Sequence, residues 1–267
     1  MKPSLDLDSA ALAEQYERIS RERQFKRGQR LVDELNLRPG DKVLDIGAGT
    51  GLVAEYAAGI VGPDGLVIGI DPLAHRIDIA KRKSCPNLAF KVGDAYDLSG
   101  FPENHFDAAY MNAVFHWLPE KRAPLRQVLR VLKHGGRLGI STGAKGNTNP
   151  LGVIRQRVLS RAPYNRYQAP SEFMMNRVNA GEMSGLLTEC GFTLIKVEER
   201  PSENAIRTAE EAVQFSEASS FGNFLGHLPE ELRMQAREDI KREIELTVRQ
   251  DDVRLQRFQV VAIARKP

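Results

Sequence analysis

The sequence predicts an α/β protein: a mostly parallel sheet of about seven strands, with helices on both faces and helical caps inserted late in the chain. Three observations predict it. Short apolar runs alternate with helix-length segments from residue 42 to residue 142. A Gly-rich turn, GAGTG at 47–51, follows the first of those runs directly. The second and third runs close on aspartates, Asp71 and Asp94, and the first carries Asp45 two residues before its first glycine. Strands joined by helices pack as parallel neighbours through right-handed crossovers, and such sheets bury both faces. Their ligands bind beyond the carboxyl ends of the strands, where the strand order reverses.

The elements follow from periodicity. Leu12, Tyr16 and Ile19, then Leu31, Val32 and Leu35, recur at helical spacing and predict helix over 10–36, ended by the turn RPGD at 38–41. KVLDIG (42–47), LVIGID (66–71), LAFKVGD (88–94), FDAAYMN (106–112) and GRLGIST (136–142) are strands. GLVAEYAAGI (51–60), AHRIDIAKRK (74–83) and APLRQVLRVLK (123–133) are helices, the last with Leu125, Val128, Leu129 and Leu132 on one face. Beyond Thr142 the alternation breaks. Residues 143–180 read as a loop and two short helices, 182–192 as a helix closed by Gly191, 193–200 as a strand, 208–249 as charged helix and 257–266 as a final strand. The organisation is one domain over 1–267, with an N-terminal helical lid (1–36) and helical cap insertions at 143–180 and 202–250.

Composition excludes several classes. Apolar residues make up 42% of the 267, enough for a sizeable core. No apolar run approaches the roughly 20 residues needed to cross a bilayer, and the first ten residues carry acids where a leader would be apolar. A cytoplasmic protein without membrane partners is expected. Two cysteines, Cys85 and Cys190, make neither a disulfide framework nor a zinc pattern; both read as buried thiols, and no metal is expected. A net charge of +3 is too weak to indicate nucleic acid. Oligomeric state is not legible.

The Gly-rich turn narrows the ligand. A dinucleotide turn is spaced G-x-G-x-x-G and offers amides to a pyrophosphate. Here Gly47, Gly49 and Gly51 are spaced G-x-G-x-G, and Asp45 would repel a pyrophosphate but attract an ammonium group. Asp71 can accept both hydroxyls of a ribose; Asp94 can accept an exocyclic adenine amine while the Ala95 amide donates to a ring nitrogen. Ammonium, ribose and adenine in that order describe an adenosine carrying an amino acid and no phosphate.

Five stretches, VLDIGAGTG (43–51), VIGIDPL (67–73), VGDAYDL (92–98), FDAAYMNAVFHWL (106–118) and VLKHGGRLGIS (131–141), together resemble the class I S-adenosylmethionine-dependent methyltransferases, of the type 11/25-like kind. The resemblance implies a Rossmann-like seven-stranded sheet whose last strand is antiparallel, with S-adenosylmethionine as cofactor. It implies that Asp45 and the loop Gly47, Ala48, Gly49 and Gly51 lie beside the methionine moiety and Asp71 on the ribose. Leu73 would lie against the adenine, with Pro72 a further cofactor contact, Asp94 and Ala95 would read its edge, and Asn112 would offer its backbone carbonyl to the ammonium. Arg76 stands where the family commonly has Met or Leu; it is expected to reach solvent, the alternative being to stack on the adenine.

The acceptor side is less defined. NAVFHWL (112–118) follows the strand that faces the transferred methyl; His116 is a candidate base or hydrogen-bond donor, and Trp117 a candidate pocket wall. The segment lacks the NPPY or DPPY of many enzymes that methylate nucleobase or glutamine nitrogens. NAVFHWLPE and GHLPEELRMQ (226–235) look similar to the trans-aconitate and juvenile-hormone-acid methyltransferases, which esterify small carboxylates. Arg155, Arg157, Arg161, Arg166 and Arg177, interleaved with Tyr164, Tyr167 and Phe173, could hold an anionic substrate from the cap, Arg155 and Arg166 foremost. Tyr16 and Gln24 on the lid are further candidate contacts. An arsenic methyltransferase would need more thiols than two. The sequence thus predicts a methyltransferase of a small molecule, with an oxygen acceptor and an arginine-rich cap suited to an anionic one. A non-catalytic S-adenosylmethionine- or S-adenosylhomocysteine-binding sensor or scaffold is the alternative, and a nicotinamide-dependent dehydrogenase is disfavoured by Asp45 and the glycine spacing.

Overall fold

The computed structural model describes residues 5–146, 150–167, 175–202, 208–251 and 257–267. Helix α1 (Ala10–Glu34) leads into β1 (Lys42–Ile46), after which α2 (Leu52–Val61), β2 (Leu66–Asp71), α3 (Ala74–Lys81) and β3 (Leu88–Val92) alternate. β4 (Phe106–Asn112), α4 (Arg122–Val131) and β5 (Leu132–Gly143) continue the pattern. Then come α5 (Pro150–Leu159), α6 (Ala180–Glu189), β6 (Thr193–Ser202), α7 (Ala209–Ser219), α8 (Glu230–Asp251) and β7 (Arg257–Arg265). The strands make one sheet in the order β3-β2-β1-β4-β5-β7-β6. β1 to β5 pair in parallel, whereas β7 inserts antiparallel between β5 and β6, as the resemblance implied.

Burial on both faces explains the continuous apolar strands. In β1, Val43 packs with Leu31, Val32 and Leu35 of α1 and with α2, whereas Leu44 and Ile46 pack on the opposite side with Leu125 and Val128 of α4. Asp45 alternates with Leu44 and so points to the same side as Val43, toward α1 and α2. A third apolar cluster joins α5, α7 and α8 around Ile154, Tyr164, Val213 and Ile240. These cap helices therefore have a core of their own.

Local signals set the boundaries. Ser9 caps α1 by accepting the Leu12 amide, and Asn179 with Glu182 forms a reciprocal capping box at α6. Two expectations are corrected. α4 stops at Val131, so Leu132 opens β5 rather than ending the helical stripe; the chain must be extended there to pair with Phe106 of β4. Cys190 is buried, but Cys85 is exposed, its thiol facing Asn87 beyond α3. Phe173 and parts of both cap insertions lie outside the described residues. Among the described residues no helix is long and apolar enough to cross a membrane, and no group of three or more His, Cys, Asp or Glu comes together to hold a metal ion.

Two glycines, one at the start of α2 and one inside it, test the packing. Gly51 enters α2 with φ +86, and a Cβ there would come within 2.7 Å of the Phe90 ring; Gly59, exposed inside the helix, has open space. Gly51→Ala should cost about 1–3 kcal/mol of stability, and Gly59→Ala should add about 0.5–1 kcal/mol, both read from urea denaturation.

Candidate active site

The chain leaves the sheet edge on one side of β1 for β2 and β3, then crosses to β4 on the other, so a crevice opens between the ends of β1 and β4. A cleft of about 200 Å³ fills it. Its floor is Gly47, Gly49, Asp71, Asp94, Ala95, Asn112 and Ala113; its far wall carries His116, Trp117, Phe221 and Arg177; and Tyr16, Gln24 and Arg27 of α1 close it from above. A smaller cavity of about 30 Å³ adjoins it behind the glycine loop, sharing Tyr16, Gln24, Gly47 and Asn112 and adding Asp45 and Ala48.

Asp45 lies at the bottom of that smaller cavity. It is 2% exposed and stands in register with Tyr110 of β4, whose hydroxyl donates to it at 2.8 Å. Burial outweighs that hydrogen bond, and with Asp71 nearby it pushes the Asp45 carboxyl up to about 8. Asn112, beside it, donates from its side-chain amide to the Gln24 carbonyl at 3.0 Å, while its Oδ1, also buried, finds no partner among the described residues. This end of the site has acceptor capacity to spare.

The loop amides are already committed. Gly47 and Ala48 both donate to the Ile70 carbonyl (2.8 and 2.9 Å), Gly51 to the Ala48 carbonyl (2.9 Å), and Gly49 to Asp71 Oδ2 (2.9 Å). A pyrophosphate would find these donors spent. The positive φ of Gly47 and Gly49 (+78 and +55) produces this inward turn. Gly51, expected beside the ligand, packs on Phe90 and Ala80 instead and lines neither cavity.

Asp71, 6% exposed, also accepts the Leu73 amide on Oδ1 at 2.9 Å. Each of its oxygens keeps a lone pair. Burial raises this carboxyl, although the Arg76 charge and both amides oppose the rise. Pro72 and Leu73 follow along the cleft. Asp94 folds back to accept the Tyr96 amide at 3.0 Å, and both Asp94 and Ala95 line the cleft. Beyond Asn112, Ala113 adopts φ +60, a conformation rare for a non-glycine residue, held by its amide donating to the Ser141 carbonyl at 2.8 Å.

The remaining candidates divide. Tyr16 stacks over Gly49 and its hydroxyl donates to Gln24 Oε1, which places both lid residues at the cleft. His116 is buried, with Nδ1 2.9 Å from the Thr142 hydroxyl; burial, then the charges of Arg177, Arg27 and Lys121, hold its imidazole down to about 3. Arg155 does not reach the cleft but lies 5.5 Å over the Phe224 ring in the cap core, and exposed Arg166 lies away from it too. Arg157 and Arg161 pair with Glu243 of α8 at 3.2 and 3.1 Å. Of the five cap arginines only Arg177 lines the cleft. Arg76 is the clearest correction: at 3% exposure it is buried, because ring faces of Tyr16 and Phe221 and the Ala218 carbonyl replace the solvent it was expected to reach. Arg27 and Phe221, absent from the sequence-derived candidates, also line the cleft.

Comparison with known proteins fits this geometry. A family model described as a methyltransferase domain matches residues 44–140, from β1 into β5. Residues 44–140 are thus similar to a methyltransferase domain. The chain is 34% identical over 111 residues to a demethylmenaquinone methyltransferase of Symbiobacterium thermophilum, covering 40% of this chain and 44% of that one. It is 39% identical over 108 residues to a 2-phytyl-1,4-naphtoquinone methyltransferase of Synechococcus elongatus, covering 39% and 46%. The chain thus spans less than half the length of these curated relatives. The [4+2]-cyclase SpnF has the same fold, with a TM-score of 0.59 at 22% identity over 91% of this chain and 81% of that one. The expected class I methyltransferase fold is met, and S-adenosylmethionine is the cofactor that goes with the domain.

The raised Asp45 carboxyl has a consequence in the free protein. Its folded pKa, about 8, lies above the unfolded value of 3.8, so the folded state keeps a proton that the unfolded chain releases. Its contribution to stability is full below pH 4 and is lost as pH rises to about 8. Asp45→Asn, which keeps an acceptor for Tyr110, should flatten the fall in urea-determined stability across this range and be the more stable protein at pH 8.

Proposed function

We propose that this chain is an S-adenosylmethionine-dependent methyltransferase that acts on an oxygen of a small molecule with an apolar body and an anionic group. The observation that carries the cofactor half is the pairing of a buried, cation-seeking Asp45 with a glycine loop whose amides are spent. The residues present fit the group. Asp45 and the orphan Oδ1 of Asn112 would hold the ammonium, the remaining lone pairs of Asp71 the ribose hydroxyls, and Asp94 with the Ala95 amide the adenine edge, between Pro72 and Leu73. When bound, S-adenosylmethionine supplies a methyl group on a sulfonium, open to in-line attack by a nucleophile.

The chain's own contribution is orientation, exclusion of water and charge. Trp117 and Phe221 offer the acceptor an aromatic wall. Arg177 lines the same end; burial lowers its guanidinium, and it makes no ion pair with a carboxylate among the described residues. It is therefore placed to receive an anion. His116 serves as a donor. In the tautomer where Nδ1 accepts from the Thr142 hydroxyl, 2.9 Å away, the Nε2 hydrogen is left for the substrate. An imidazole held near 3 takes no proton at neutral pH, so the acceptor arrives already ionised, as a carboxylate, phenolate or enolate does. The likeness of NAVFHWLPE to enzymes that esterify carboxylates supports the same acceptor class.

Calorimetry with S-adenosylhomocysteine tests the cofactor half: no binding would end this reading. Asp71→Ala and Asp94→Ala should each weaken binding about 10- to 100-fold. Transfer of labelled methyl to a panel of small carboxylic acids, phenols and reduced quinones tests the acceptor half. Methyl found on oxygen supports the proposal, and methyl found on carbon alone refutes that part of it. With the acceptor so found, Arg177→Ala should raise its KM about tenfold or more and leave that of S-adenosylmethionine within twofold. His116→Gln should keep most of kcat, and the pH profile should follow the acceptor's own ionisation.

A further inference from the structure

Arg76 buries a guanidinium in the cleft lining with no carboxylate in direct contact among the described residues, although its charge acts on the Asp71 and Asp8 carboxyls. Burying a charge so is costly. Its contacts reach across the molecule. The guanidinium lies 3.8 Å over the ring of Tyr16 on α1 and 4.9 Å from the ring of Phe221 beyond α7, and Nη2 donates to the Ala218 carbonyl at 2.7 Å. Its Nε is buried with no partner among the described residues. Phe221 holds φ +58, so the fold enforces its position against backbone preference.

Both neighbours continue the contact. Tyr16 stacks on Gly49, whose amide holds Asp71; Phe221 packs 4.9 Å from the Trp117 ring, which lies 5.1 Å from His116. The unbroken series Tyr16, Arg76, Phe221, Trp117 and His116 runs from the cofactor floor to the acceptor wall, and every member lines the cleft. A guanidinium held between two aromatic faces is suited to join the segments that carry them, α1 and the turn after α7.

We propose that Arg76 is a positioning residue that ties the lid helix α1 to the acceptor wall, so that filling the cofactor site fixes Trp117 and Phe221 and readies the acceptor pocket. Occupancy of the cofactor site is thereby felt at the acceptor end. This inference rests on the proposed reading of the cleft as a cofactor site.

Trp117 is the chain's one tryptophan, and so reports its own environment. S-adenosylhomocysteine is titrated into wild type, Arg76→Met and Arg76→Lys, with binding followed by calorimetry and Trp117 followed by acrylamide quenching of its emission. In wild type, saturation should reduce quenching at least twofold. Arg76→Met should still bind, within about tenfold of wild type, yet leave quenching of the saturated protein equal to that of the free protein; Arg76→Lys should recover part of the response. Phe221→Leu breaks the series at another ring, keeps the Arg76 charge, and should decouple Trp117 in the same way. A full Trp117 response in saturated Arg76→Met or Phe221→Leu overturns this inference alone. Failure of the wild type to bind overturns the cofactor reading as well.

Discussion

Asp45 is a carboxylate in the middle of a parallel sheet, covered by α1 and α2 and held by one hydroxyl from the neighbouring strand. A group so placed costs the fold stability as a charge, and burial pushes its carboxyl up to about 8. The surrounding structure is arranged about it. Tyr110 must stand opposite in register, the glycine loop must turn inward above it, and Asn112 must end β4 beside it with a side-chain oxygen unmatched. Asp45 and the Asn112 Oδ1 leave the small cavity with acceptors to offer a cation. Neither makes it hospitable to phosphate.

The larger cleft follows from the topology. Reversal of strand order between β1 and β4 opens it, and two later parts of the chain close it: α1 through Tyr16, and the segment after α7 through Phe221. The fold does not by itself decide the reaction, since a [4+2]-cyclase shares it. What argues for methyl transfer here is the family match of the core together with the contents of the cleft. The far wall of the cleft combines the Trp117 and Phe221 rings, an Arg177 guanidinium with no carboxylate partner among the described residues, and a His116 imidazole held down by burial, the set on which the proposed ionised acceptor rests.

Much of this was legible from sequence because it depends on local rules. Strand and helix positions through Thr142 followed from alternation, and the strand-end placement of Asp45, Asp71 and Asp94 followed with them. What stayed hidden depends on contacts between distant segments. No periodicity places Arg76 against residues 60 positions before and 145 after it, so the default for an arginine, solvent, was the wrong one. Arg155 and Arg166 share a helical cap with Arg177, and only the packing of that cap on α8 separates them from the cleft. Tyr110 left a usable signal: a hydroxyl in a strand buried on both faces needs a partner, and the acid of the adjacent strand was the available one. The spent loop amides left none, because they depend on the carbonyl of Ile70 on a different strand.

The central claim is that the buried carboxyl of Asp45 selects a ligand with a cationic end and no phosphate. Calorimetry of S-adenosylhomocysteine binding at pH 7, repeated in buffers of different ionisation enthalpy, reads it directly. A carboxyl near 8 that receives an ammonium group must give up its proton, so close to one proton should be released per molecule bound, and none in Asp45→Asn. Binding without proton release, or a cleft that prefers a nicotinamide dinucleotide to S-adenosylhomocysteine, would contradict it.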